Sequence, residues 1–321
     1  MPMRHVVIIA PQEDAHALVV AKRVEQLGAK CVILDSAEYP AKWQLTVRIS
    51  NHEPPRFVLQ QNDLEVSDAT LCGVWWRRPR RYVAPGEVLE PHFRRFIAAE
   101  AREAFEGWLL SLGSRLINSP CAESSARKIV QLQCAAESGL TIPESLITNC
   151  PQRAEAFYRF VGPGTVFKPF TATTWAMLAT QRMTPDAVGH LAAVANAPVI
   201  FQQEIPKISD IRVNIVDGKM FATKIDSKRK DAPIDLRVEE GCEYADHDLP
   251  DRVRRGLLEL MNRLGLRFGA CDLGLMADGQ HVFFEVNPGG QWLFAEIESG
   301  QPISTALAHA LLRNPEEAVL N

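Results

Sequence analysis

The chain has no Cys-x-x-Cys pair; its seven cysteines stand singly at 31, 72, 121, 134, 150, 242 and 271. An odd, scattered set argues against a disulfide framework and a zinc site, and points to a reducing, cytoplasmic setting. No apolar run is long enough to cross a bilayer, so no membrane partner is expected. The opening MPMRHVVIIAP holds one Arg and an apolar run too short for a signal peptide, and reads as a first strand. No Gly-x-Gly-x-x-Gly follows it, so a dinucleotide site has no support. Positive charge is not in excess: 35 Lys and Arg against 39 Asp and Glu leave a net charge of −4 over 321 residues. A nucleic-acid partner is therefore not expected. Repeats and low-complexity tracts are also missing.

What is present is a regular succession of elements. An apolar run at 5–9, a helical pattern at 13–27 closed by Gly28 and an apolar run at 31–34 read as β-α-β. Strand-like runs follow at 43–49, 56–60 and 71–76, then a long helical pattern at 88–112. Asn118-Ser119-Pro120 is a cap signal, and Ser124–Ser138 reads as one helix before Gly139. Strands at 164–169 and 198–205 flank a helix at 184–195. A hairpin at 210–226 turns at Asp217-Gly218, a polar loop covers 227–248, and an amphipathic helix covers 249–264. A second hairpin and a helix at 302–313 close the chain. This order predicts α/β and α+β parts: an N-terminal α/β domain at 1–117, a mixed unit at 118–205 and a hairpin-rich unit at 206–321.

The second hairpin, ACDLGLMADGQHVFFEVNP at 270–288, contains an apparent fault. Asp278-Gly279 is a strong signal for a two-residue turn with both residues at positive φ. Counting outward from it sets Asp272 opposite Glu285, and like charges facing across a sheet repel. Asn287 shares the face of Glu285 by alternation. Two carboxylates and an amide oxygen suit a hard cation such as Mg2+, which would relieve the repulsion. The bland alternative is a solvated or proton-sharing acid pair; Asn287 followed by Pro-Gly-Gly favours the metal.

Other candidates are weaker alone. Lys168 sits in the apolar strand TVFKPF and needs a partner or an exit to solvent. Lys128 stands near a helix start, where an exposed lysine is common. Arg212 lies across from Thr223 by the Asp217-Gly218 register, able to bridge oxygens or to pair with Asp210 on its own face. The exit VIFQQEIPK at 199–207 can offer backbone groups to an adenine edge.

Together these residues resemble the ATP-grasp ligases, in order from about 118 to the end, with Asp272 and the Glu285-x-Asn287 pair the most specific part. The N-terminal region is similar to the pre-ATP-grasp domain of that fold. VWWRRPR at 74–80, FQQEIPK with DIRVNIV at 201–216, and NPGGQWLFAEIESGQPI at 287–303 narrow the resemblance to the RimK-like maturases that macrocyclise ribosomal peptides, the microviridin-type graspetides. Three departures stand out: Gln202-Gln203-Glu204 at the hinge, no glycine in FTATTW after Lys168, and no histidine in KIDSKR at 224–229.

The resemblance implies ATP and one or two Mg2+ ions as cofactors. It assigns metal binding to Asp272, Glu285 and Asn287, and nucleotide contacts to Lys128, Lys168, Gln203, Glu204, Ile205 and Asp210. Arg212 becomes the catalytic residue at the γ-phosphoryl, and Arg77, Arg78 and Arg237 become substrate contacts. The WWRR motif reads equally as a core strand ending in a turn. The implied partner is a precursor peptide with a leader and an acidic core, acted on by a homodimer. The alternatives are a RimK-like ligase adding an amino acid to a protein or small molecule, and a non-catalytic nucleotide-binding module.

Overall fold

A computed structural model describes residues 3–171, 180–227 and 241–313. Arg237 lies outside them, as does most of the loop after Lys168. The chain opens with β1 (His5–Ile9), α1 (Ala15–Gln26) and β2 (Lys30–Leu34). Asp14 caps α1 by accepting from the Ala17 N–H at 2.8 Å. Next come β3 (Gln44–Arg48), β4 (Arg56–Gln61), β5 (Leu64–Ser67), β6 (Leu71–Trp76), α2 (Pro91–Ser111) and β7 (Leu116–Ile117). Strands β2-β1-β6-β7 form a parallel sheet, and β3-β4-β5 a separate antiparallel one. All five residues of β1 are buried, as expected for a parallel strand covered on both faces. Alternation sends Trp75 into one core and Trp76 into the other.

Then follow α3 (Pro120–Ser125), α4 (Lys128–Glu137), β8 (Ser145–Thr148), α5 (Pro151–Val161), β9 (Thr165–Lys168), β10 (Gln181–Arg182), α6 (Pro185–Gly189) and β11 (Val199–Gln203). The helix expected at 124–138 is broken at Ala126-Arg127. Gln131 explains the break: its amide donates to the Ala126 carbonyl at 2.7 Å and accepts from the Val286 N–H at 3.0 Å. The first turn of α4, with Lys128 at its head, is thereby tied to a distant strand. The helix expected at 184–195 also stops early, at Gly189, and continues as a 3-10 turn.

The last part holds β12 (Lys207–Val216), β13 (Lys219–Asp226), β14 (Glu243–Asp246), α7 (Asp251–Arg263), β15 (Phe268–Met276), β16 (His281–Asn287), α8 (Leu293–Ser299) and α9 (Ile303–Leu312). Strands β10-β9-β11-β8 and β14-β13-β12-β15-β16 are two antiparallel sheets. Strand β14 occupies part of the stretch expected as loop. Helix α7 buries Leu257, Leu260 and Met261 against the five-stranded sheet, at the spacing of one helical face. Helix α9 returns to cover the first sheet, where the backbone of Leu311 meets Gly73 so closely that a Cβ there would lie 2.4 Å from its carbonyl oxygen.

Candidate active site

Three strands bring the charged residues into one row. Arg212 on β12 faces Asp272 on β15, which faces Glu285 on β16. The expected opposition of Asp272 and Glu285 holds, but by another route. Gly279 has φ 84 while Asp278 is not at positive φ, and the Gly279 N–H bonds back to the Met276 carbonyl at 3.0 Å. The turn is thus a three-residue loop closed by a left-handed glycine. That shifts Leu275 onto His281, and a bulge between Asp272 and Leu273, with Phe284 as the extra residue, restores the pairing.

The facing acids are each given a cation. Lys128 Nζ lies 2.9 Å from Glu285 Oε2, and Arg212 Nε 3.2 Å from Asp272 Oδ1. Asp210 pairs with Lys207, so Arg212 takes Asp272 rather than Asp210. The Asn287 amide spans the acids, 3.3 Å from Asp272 Oδ2 and 3.2 Å from Glu285 Oε1. Arg212 is only 4% exposed, with its guanidinium 5.7 Å from the Phe294 ring centroid.

A cavity of about 280 Å³ opens between the central and last sheets. Lys128, Lys168, Gln203, Glu204, Ile205 and Asp210 all line it, with Arg212, Asp272 and Glu285 at one end. Val166, Leu273 and Phe284 supply apolar wall. At the hinge, the N–H of Gln203 bonds to the Glu144 carbonyl at 2.9 Å and that of Glu204 to Gly164 at 2.6 Å. The Glu204 carboxylate is clamped by Arg182, with Nη2 2.6 Å from Oε1. Neither Arg182 nor Lys207, whose ammonium sits 5.9 Å from the Phe284 ring centroid, was singled out from sequence. Lys207 stood inside the quoted hinge; Arg182, on an exposed two-residue strand, gave no signal.

A second cavity, of about 770 Å³, shares Arg212, Ile225 and Glu285 with the first and is further lined by Arg78, Tyr244, Asn287, Gln291 and Phe294. The two sequence-adjacent arginines part company here. Arg78 keeps 53% of its side chain exposed at this cavity, 4.0 Å from Asp14. Arg77 is 1% exposed and donates from Nη1 to the carbonyls of Gly289 at 2.7 Å and Gly290 at 2.8 Å.

His16 is buried beside this contact, and its Nε2 accepts from the N–H groups of Trp292 at 3.2 Å and Leu293 at 3.3 Å. Burial, then the nearby Arg77, pushes its pKa down to about 4. A histidine held neutral in the fold contributes fully above its unfolded pKa and loses that contribution as pH falls towards the folded value. His16→Gln keeps an acceptor for both N–H groups without the titration. The stability advantage of the wild type over this variant should therefore shrink by roughly 3 kcal/mol between neutral pH and about pH 4, measured by denaturant unfolding.

Residues 5–123 match the family model described as the MvdD pre-ATP grasp domain. Solved structures match over nearly the whole chain. The macrocyclase MdnC of Microcystis aeruginosa MRC, bound with precursor peptide MdnA, is 25% identical over 97% of this chain and 100% of its own, with TM-score 0.83. Macrocyclase MdnB of the same organism is 29% identical over 96% and 99%, with TM-score 0.76. A RiPP-associated ATP-grasp ligase of Chryseobacterium gregarium, in complex with ADP and a leader and core peptide, shares the fold at 23% identity over 96% of each chain, with TM-score 0.84. No curated protein is significantly similar. The fold is therefore ATP-grasp, preceded by a pre-ATP-grasp α/β domain, and among the described residues no helix is long and apolar enough to cross a membrane.

Proposed function

From an ATP-grasp fold with an MvdD-type pre-grasp domain, we propose that this protein is an ADP-forming ligase that activates a side-chain carboxylate of a ribosomal precursor peptide and closes an ester or amide crosslink. The observation that carries this reading is the meeting of two cavities at the Arg212–Asp272–Glu285 row. One is narrow, part apolar and rich in lysine, suited to ATP. The other is wider and presents Arg78 and Arg212, suited to an acidic peptide. The three functional parts are taken as 1–117, 118–205 and 206–321.

In this reading the adenine lies against Val166, Leu273 and Phe284 beside the hinge, and Lys128 and Lys168 neutralise phosphate charge. The donor set fits Mg2+: Asp272, Glu285 and Asn287 offer hard oxygens too few to fill six positions, leaving places for phosphate and water. When bound, Mg2+ offsets phosphate charge. An Asp or Glu carboxylate, held by Arg78 and Arg212, attacks the γ-phosphorus; the bond to ADP breaks and an acyl phosphate forms. A Ser or Thr hydroxyl or a Lys amine then attacks the acyl carbon, and inorganic phosphate leaves with one former carboxylate oxygen. Arg212, reaching both cavities, stabilises the transferring phosphoryl and the later oxyanion. The peptide thus loses one water per ring. With ATP, Mg2+ and the precursor encoded beside the gene, mass spectrometry should show that loss together with one ADP per ring. A mass gain would instead indicate addition of an amino acid, and no mass change would remove the peptide reading.

A further inference from the structure

We propose that Arg77, directly after β6 of the pre-grasp sheet, is a positioning residue that sets the metal-ligand strand from behind, through the turn that follows Asn287. This rests on the nucleotide and metal reading above. The turn Asn287-Pro288-Gly289-Gly290 is closed by the Gly290 N–H to the Asn287 carbonyl at 3.0 Å. Its last two carbonyls both face Arg77 Nη1. Gly290 is pressed against β15: a Cβ there would lie 2.5 Å from the Ala270 Cβ and 3.2 Å from that of Asn287. The turn has no slack on that side, so a shift at its carbonyls is passed to Asn287, the residue that bridges Asp272 and Glu285.

Arg77 is itself fixed. Its backbone N–H bonds to the Ile9 carbonyl at 3.2 Å, its guanidinium lies 5.5 Å from the Trp75 ring centroid, and Asp14 stands 3.6 Å from Nε. A buried cation with its carboxylate some 200 residues away in sequence from the carbonyls it holds has no evident role in substrate contact: Arg77 lines neither cavity, whereas Arg78 lines the wider one. Arg77 thereby acts on the metal site without touching nucleotide or peptide.

The test measures the Mg2+ concentration that half-maximally tightens ADP binding, by fluorescence of a labelled ADP, alongside thermal unfolding and steady-state kinetics. Arg77→Lys keeps the charge, but one ammonium cannot span from Asp14, which Nε faces, to the two carbonyls that Nη1 holds. The expected result is a rise of about tenfold in the Mg2+ midpoint, unchanged ADP affinity without metal, a lower kcat and an unchanged peptide KM. Asp14→Asn loosens Arg77 while keeping a good helix cap, and should shift the midpoint in the same direction by less. That second variant decides the matter if Arg77→Lys does not fold. A wild-type Mg2+ midpoint in the folded variants overturns the proposal, and so does a rise confined to peptide KM. Absence of Mg2+-dependent ADP binding by the wild type overturns the nucleotide reading itself.

Discussion

Glu285→Gln is expected to leave the protein folded and to abolish ATP turnover, a loss of at least about 10³-fold. The substitution keeps shape and removes one of two facing carboxylates. Sequence alone suggests a small gain in stability from relieved repulsion. The structure cancels that gain, because Lys128 pairs with Glu285 and Arg212 with Asp272, so removing one acid also strands a lysine. The net change in unfolding free energy should stay within about 1 kcal/mol, since the Lys128 pair is partly exposed. ADP production and Mg2+-dependent ADP binding should both disappear while the thermal midpoint barely moves. Undiminished turnover would remove Glu285 from the metal site.

Arg212→Lys should lower kcat by about 10²–10³-fold. Lysine retains the charge that Asp272 needs, so the buried carboxylate is not left alone, as it would be in an alanine variant. What is lost is the planar fork that reaches from Asp272 towards both cavities. Arg212 Nε faces Asp272, while Nη1 is buried and makes no hydrogen bond to the described residues, which leaves that donor for the reacting oxygens. ADP affinity should change little, because the proposed phosphate contacts are Lys128 and Lys168, which also line the cavity. Single-turnover kinetics should therefore show normal nucleotide binding and a slow chemical step; a variant that loses ADP binding with unchanged chemistry would move Arg212 to a nucleotide role.

How far the sequence reached depends on how local the signal was. At Asp217-Gly218 both residues have positive φ, 49 and 82, and the register that sets Arg212 opposite Thr223 follows directly. At Asp278-Gly279 the same dipeptide makes a different turn, and the opposition of Asp272 and Glu285 survives only because the bulge at Phe284 restores the count. Turn chemistry is thus a guide to a hairpin's existence and a weaker guide to its register. The stretches holding Lys168, Gln203, Arg212, Asp272 and Glu285 pointed to the cleft because they lie on the strands that line it. The ion pair of Lys128 with Glu285, the grip of Arg77 on the glycine turn and the return of α9 to the first sheet join residues far apart in sequence. No periodicity or spacing encodes such contacts; they exist only once the sheets are packed.

The central claim is that ATP activates a peptide carboxylate as an acyl phosphate, and oxygen transfer tests it most directly. A precursor peptide carrying oxygen-18 in its Asp and Glu side-chain carboxylates is incubated with the protein, ATP and Mg2+, and the released phosphate is analysed by mass spectrometry. The expected result is one labelled oxygen in the phosphate for each ring closed. Ring closure with unlabelled phosphate, or ADP formation with no label transfer, would contradict the claim.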